Sequence, residues 1–145
     1  MIKRFVLFPV IFILTVAMAY SVNASSDTIK VDVTVIKASN QGDQIDSSLS
    51  KIKSQLKRLN YTNYSLISQN SKTGTPRGEL IFKLPDGDTM RVVLIDVEDG
   101  SIKLLVSIEK AGLKTNFKIV NNGTVIVGGN AYQDGYMVIA ITASY

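Results

Sequence analysis

The sequence predicts an α+β domain, an antiparallel β-meander of about seven strands in all with one amphipathic helix packed on the sheet. Three observations carry this expectation. From Glu79 to Ser144, five apolar and mostly alternating runs are separated by short turns rich in Gly, Asn and Asp, the residues that best tolerate the positive φ of tight hairpins. Ile29 to Ala38 alternates at period two and is β-branched on one face, as a half-buried strand requires. Ile45, Leu49, Ile52, Leu56 and Leu59 recur at steps of four, three, four and three, one apolar stripe at helical spacing.

Of the 145 residues, the first two dozen stand apart from the fold. Met1 to Arg4 is a basic start, Phe5 to Ala19 an apolar stretch, and Val22 and Ala24 place small residues at the −3 and −1 positions. That pattern is a signal peptide cleaved after Ala24. The competing reading is an uncleaved anchor helix, because Phe5 to Val22 approaches the ~20 residues that span a bilayer; Pro9 and the small-residue exit favour cleavage. Bacterial lipoprotein attachment is excluded, since that chemistry needs a cysteine and the chain has none. The chain therefore divides into a leader, 1–24, and a single α+β domain, 25–145, with the periplasm, the outer surface or the medium as destination.

Lys3 and Arg4 leave with the leader, so of 16 Lys+Arg 14 remain against 12 Asp+Glu, net +2. A balance this small does not call for nucleic acid or an anionic membrane. An exported chain without cysteine must fold without disulfides, and a domain this long can do so by burying roughly two-thirds of its unfolded surface.

In Ile29 to Ala38, the residues Ile29, Val31, Val33 and Val35 share one face, and Lys30, Asp32 and Thr34 the other. Ser39 to Gln44 reads as a polar loop. The helix follows, with Asp46 or Ser47 as its cap and Lys57 and Arg58 near its C-terminus, where the macrodipole favours cations. Lys51, Lys53, Lys57 and Arg58 read as an ordinary solvated helix surface rather than a polyanion-binding face. Tyr64 to Ser68 reads as a second strand, and Asn70 to Gly78, broken by Gly74, Pro76 and Gly78, as a connecting loop. In the meander, Met90 to Val97 and Tyr136 to Thr142 are apolar on both faces and belong inside a sheet. Ile102 to Glu109 and Leu113 to Ile119 carry one polar face each, which argues against a lipid-facing barrel. Gly128 to Gly135 reads as the last turn.

Chemistry-bearing patterns are few. Ser48 and Lys51 form an S-x-x-K, Ser68 and Asn70 an S-x-N, and Lys72 to Gly74 a K-T-G, in the chain order of serine β-lactamases and penicillin-binding proteins. The three crowd into 27 residues, the last falls in an expected loop, and S-x-x-K recurs by chance at Ser50/Lys53 and Ser54/Lys57, so no acylating site is assigned. Without His or Cys, acid–base chemistry would fall to Asp, Glu, Lys or Tyr. Asp86 and Asp88, and the cluster Asp96, Glu98 and Asp99, read as turn formers rather than calcium ligands, for no full ligand loop is spelled out. Neither catalytic residues, metal ligands nor a cofactor are expected. Tyr61, Tyr64, Tyr132 and Tyr136, with Arg77 of the 73–78 loop, are the candidate binding surface; packing is the competing use of the tyrosines. Asn60, Asn63 and Asn122 head N-x-S/T sequons, relevant only where the source glycosylates them.

The stretch 102–142 resembles the β-rich segment of bacterial secretins, the outer-membrane secretion pores. The likeness lies in Ile102 to Ile108, Thr115 to Val120, the NGTVIVGG of Asn122 to Gly129, and the MVIAIT of Met137 to Thr142. Pore-forming hairpins and the proline-rich signature after the Gly-Gly are missing, so the resemblance implies a related envelope β-module and not a channel. The whole chain also resembles short exported bacterial proteins of unassigned function. The expectation is an exported, non-enzymatic envelope or secreted domain acting through protein–protein contacts, by strand pairing at an exposed edge. Its partner would be a protein of the cell envelope, with no nucleic acid and no stable membrane insertion after leader removal. The alternative is a binding module for cell-wall glycan or a small ligand.

Overall fold

The computed structural model describes residues 28–145; the expected leader, 1–24, lies outside the described residues. In chain order the elements are β1 (Ile29–Ser39), a 3-10 stretch (Ser47–Ile52) leading into α1 (Lys53–Leu56), β2 (Asn63–Gly74), β3 (Glu79–Lys83), β4 (Thr89–Glu98), β5 (Ser101–Ile108), β6 (Leu113–Val120), β7 (Gly123–Tyr132) and β8 (Gly135–Ser144). They form two antiparallel four-stranded sheets: sheet I in the order β2-β1-β8-β7, and sheet II in the order β3-β4-β5-β6.

The domain is thus mostly antiparallel β-structure with one short helical segment, and the expected layout changes in two ways. Among the described residues the strands number eight, not seven, because the short apolar run Thr124 to Val127 continues through a bulge at Gly128 to Ala131 and ends only at Tyr132. The meander also stops at β6. The turn at Asn121 and Asn122 carries the chain across to sheet I, where β7 pairs with β8 and β8 with β1. β8 supplies the reason. Its alternate residues Met137, Ile139, Ile141 and Ala143 are buried against sheet II, while Val138 and Ala140 are buried on the opposite side under the helix. One sheet with a single short helix could cover only part of the apolar surface that β4 and β8 present. Two sheets stacked face to face bury the inner residues of both, while Ile95 on β4 stays exposed.

The inter-sheet core is built from residues at alternate positions. Val31, Val33 and Val35 of β1, with Ile139 and Ile141 of β8, meet Phe82, Met90, Val92, Leu94, Leu104 and Val106 of sheet II. The other crossover, between β2 and β3, is tied by the Leu94 N–H donating to the Gly78 carbonyl at 2.9 Å. Next to it, Lys72 donates to the Ile81 carbonyl, and its ammonium lies 5.3 Å from the Phe82 ring centre, closing that margin of the sandwich.

The expected connector 70–78 is only half a loop. Residues 70–74 complete β2, with Asn70 opposite Val33 and Gly74 opposite Ile29. These side chains are too polar to signal a strand, but on an outer edge they face water, and β1 offers them a backbone ladder. The expected helix from Ile45 to Leu59 shortens to Ser47–Leu56, mostly 3-10. Its stripe still does what the spacing implies: Leu49 and Leu56 are buried against Ile36, Ala38, Tyr64, Val138 and Ala140, a second core on the outer face of sheet I. Asp46 caps it, accepting the Ser48 N–H at 3.0 Å and the Ser48 hydroxyl at 2.8 Å. Among the described residues no helix is long and apolar enough to cross a membrane.

Candidate functional site

The outward-facing residues of β1 change character halfway along the strand. Lys30, Asp32 and Thr34 are polar, whereas Ile36 and Ala38 are apolar. β8 runs antiparallel beside it and changes one outward pair earlier. Ser144 lies opposite Lys30, Thr142 opposite Asp32, Ala140 opposite Thr34 and Val138 opposite Ile36. The helical segment docks on the apolar half, where its buried leucines gain most. The polar half is left uncovered, and the helix flank becomes its wall.

The result is a trough of about 590 Å³, within the range of roughly 300–1,000 Å³ typical of ligand pockets. Its floor is laid by Lys30, Asp32 and Thr34 of β1, Gln69 and Ser71 of β2, Thr124 of β7, and Thr142 and Ser144 of β8; Ser48, Leu49, Lys51 and Ile52 form the wall. Hydroxyls and amides dominate, groups that both donate and accept. Two contacts fix the floor. The Thr124 and Thr142 hydroxyls are 2.6 Å apart, and Ser71 donates to Asp32. Asp32 also lies 3.8 Å from the Lys30 ammonium, so its charge has a partner. Gln55 holds the wall to the floor, its amide donating to the Thr124 carbonyl at 3.4 Å. Asp46 does the same from the other end: the Ser48 N–H and hydroxyl and the Leu66 N–H all donate to it, which holds its carboxyl below the usual carboxylate range.

The expected tyrosine surface is partly assembled. Tyr61 contacts Tyr64 edge-to-face, ring centres 6.3 Å apart, and Tyr136 at 5.8 Å. Tyr64 is buried, and its hydroxyl donates to the Leu56 carbonyl at 2.8 Å; burial pushes that hydroxyl above its ordinary value. Tyr136 is half exposed and, with Tyr61, Leu59, Ile126 and Gly128, lines a second notch of about 240 Å³. Tyr132 turns to the other side of sheet I and packs on the inter-sheet core. Arg77 is exposed on the β2–β3 crossover, beyond the end of β2 opposite Tyr64. Three of the five candidates thus converge, one of them as packing.

The S-x-x-K, S-x-N and K-T-G residues are closer than an intervening loop would place them, since Lys72 to Gly74 belong to β2. Ser48, Lys51 and Asn70 line the trough together. The Ser48 hydroxyl, however, donates to Asp46, and Lys72 leaves the trough for the margin between the sheets. Of the acidic turns, Asp86 accepts the Asp88 N–H at 2.9 Å, and the buried Asp88 accepts the N–H groups of Thr89 at 2.8 Å and Lys110 at 3.3 Å. Those are turn-forming bonds. The cluster at Asp96 to Asp99 opens onto Lys103, whose ammonium donates to Glu98 at 2.9 Å and holds that carboxyl below its ordinary value.

Sequence reasoning missed the trough because each floor residue looks like routine strand polarity. The signal was the switch from polar to apolar outward residues inside one strand, repeated in the strand that pairs with it. Comparison with family models, with curated proteins and with solved structures finds no match to this chain.

Proposed function

We propose that the chain is an exported, non-enzymatic envelope or secreted domain that works by binding, and that its ligand is a glycan of the cell wall or a comparable polyhydroxylated molecule lying along the outer face of sheet I. The single observation that carries this reading is the open trough floored by hydroxyl and amide side chains. Such groups exchange hydrogen bonds with water for hydrogen bonds with sugar hydroxyls at little net cost. Tyr61 and Tyr136 add an aromatic surface farther along the same face. The test is co-sedimentation of the protein with purified cell-wall glycan, compared with the Thr34→Val/Thr142→Val variant. Retention of the parent and release of the variant is the expected result; a parent protein that stays in the supernatant overturns the reading.

Contact with a protein partner by strand addition is the second reading, and one observation favours it. The outer edge of β2 pairs with no strand among the described residues, and Gln69 to Thr73 are exposed along it. A partner strand laid there would gain main-chain hydrogen bonds. Cross-linking in living cells that attaches a partner through residues 69–73 supports this reading over the first.

A further inference from the structure

The four cations of the helical segment and the chemistry of the trough bear on which ligand the face selects. Lys51, Lys53, Lys57 and Arg58 fall within eight residues, and no acid stands among them. They are a third or more exposed, and among the described residues none of them pairs with a carboxylate. Outside this stretch the mature chain carries 10 Lys+Arg against 12 Asp+Glu, so its excess positive charge resides in the helical segment. Lys51 is on the trough wall itself. Inside the trough, Asp32 is neutralised by Lys30, which leaves the Lys51 ammonium as the uncompensated charge facing the ligand.

We infer that the trough selects an acidic glycan, a polyhydroxylated chain bearing carboxylate groups, one of which sits against Lys51. This rests on the binding reading above and narrows it. Sugar hydroxyls meet the floor at Thr34, Ser71 and Thr142, and a carboxylate meets the wall. The floor surrounds an Asp32 already paired with Lys30 with hydroxyl and amide groups, so sugar hydroxyls rather than further charges match it. Lys53, Lys57 and Arg58 raise the local concentration of such a chain without contacting a particular ring, an effect that salt screens.

The test uses protein recovered from expression of the full chain, titrated by calorimetry with polygalacturonate, with neutral pullulan, and with vesicles of anionic phospholipid. The parent protein is expected to bind polygalacturonate at least tenfold more tightly than pullulan, and more weakly as salt is added. Lys51→Gln is expected to cost about tenfold, in line with loss of one charge-assisted hydrogen bond. Thr34→Val, which keeps the strand shape and every charge, is expected to weaken polygalacturonate binding several-fold, while Lys57→Gln changes it little at moderate salt. Equal binding of the two polysaccharides overturns the charge selection and leaves the glycan reading standing. Binding of neither polysaccharide overturns both. Polygalacturonate binding that is insensitive to Thr34→Val, or binding to vesicles alone, places recognition on the helix charges and overturns the trough assignment.

Discussion

Two leucines of equal size and equal burial separate the two cores. Leu56 and Leu104 are both fully buried, the first between the helical segment and sheet I, the second between the sheets. Burying a leucine side chain stabilises by roughly 1.5–3 kcal/mol, and the cavity left on truncation raises the cost of Leu→Ala to about 2–5 kcal/mol. What differs is how much structure depends on each. The helical segment is held by Leu49, Leu56 and the half-buried Ile52 and Leu59, by the Tyr64 hydroxyl, and by Asp46. Once it detaches, Leu56→Ala can cost no more, so its loss should stop near the low end, about 2–3 kcal/mol. Leu104→Ala acts on a core shared by both sheets and should reach about 3–5 kcal/mol. Urea unfolding measures the totals, and hydrogen exchange locates them. In Leu56→Ala the amides of Lys57 and Leu59, bonded at 3.0 Å to the carbonyls of Lys53 and Leu56, should exchange through a local opening insensitive to urea. The β4 and β5 amides should still exchange only through global unfolding. Equal loss of stability in the two variants, with Lys57 and Leu59 still protected to the same degree as β4, refutes the idea of a separately attached helix.

Further outcomes follow from single contacts. Tyr64→Phe removes a buried hydroxyl from the Leu56 carbonyl, which keeps its bond from the Leu59 N–H; a loss of about 0.5–1.5 kcal/mol by urea unfolding is expected. Because the folded Asp46 carboxyl titrates below its unfolded value, its contribution is complete above pH ~4 and fades as pH falls through the folded value. Stability measured from pH 6 to 2 should therefore fall more steeply in the parent than in Asp46→Asn, with Glu98 contributing equally to both. A methyl group at Gly135 would sit 2.2 Å from the Ala38 carbonyl oxygen, whereas one at Gly128 meets nothing within 4 Å. Gly135→Ala should cost about 1–3 kcal/mol or more, and Gly128→Ala should stay within roughly 0.5 kcal/mol.

Local pattern made the strands legible and left their partners hidden. Alternation marked Ile29 to Ala38 and most of Leu80 to Ile119, and Asp99-Gly100 turns with positive φ at both residues, as the hairpin chemistry requires. Asn122 also has positive φ, yet that turn changes sheets. Turn residues report backbone angles, and they do not report whether the next strand pairs with the last one. What decided the matter was the burial demanded by both faces of β8, a tertiary requirement visible only once β1 lies beside it. The same limit hid residues 70–74, where an edge position tolerates polarity that a sequence pattern counts against a strand. Tyr61 and Tyr136 could be guessed as neighbours only as two members of one residue type. The trough needed the register of β1 against β8, because a polar half-face becomes a site only when its neighbour is polar at the same level.

The claim that the outer face of sheet I is the binding surface is tested most directly by amide chemical-shift mapping during titration with polygalacturonate. Shifts concentrated at Lys30 to Thr34, Ser48 to Lys51, Gln69 to Ser71 and Thr142, with β4 and β5 unmoved, are expected. Shifts centred instead on the outer face of sheet II, around Ile81, Arg91 and Leu105, would contradict it.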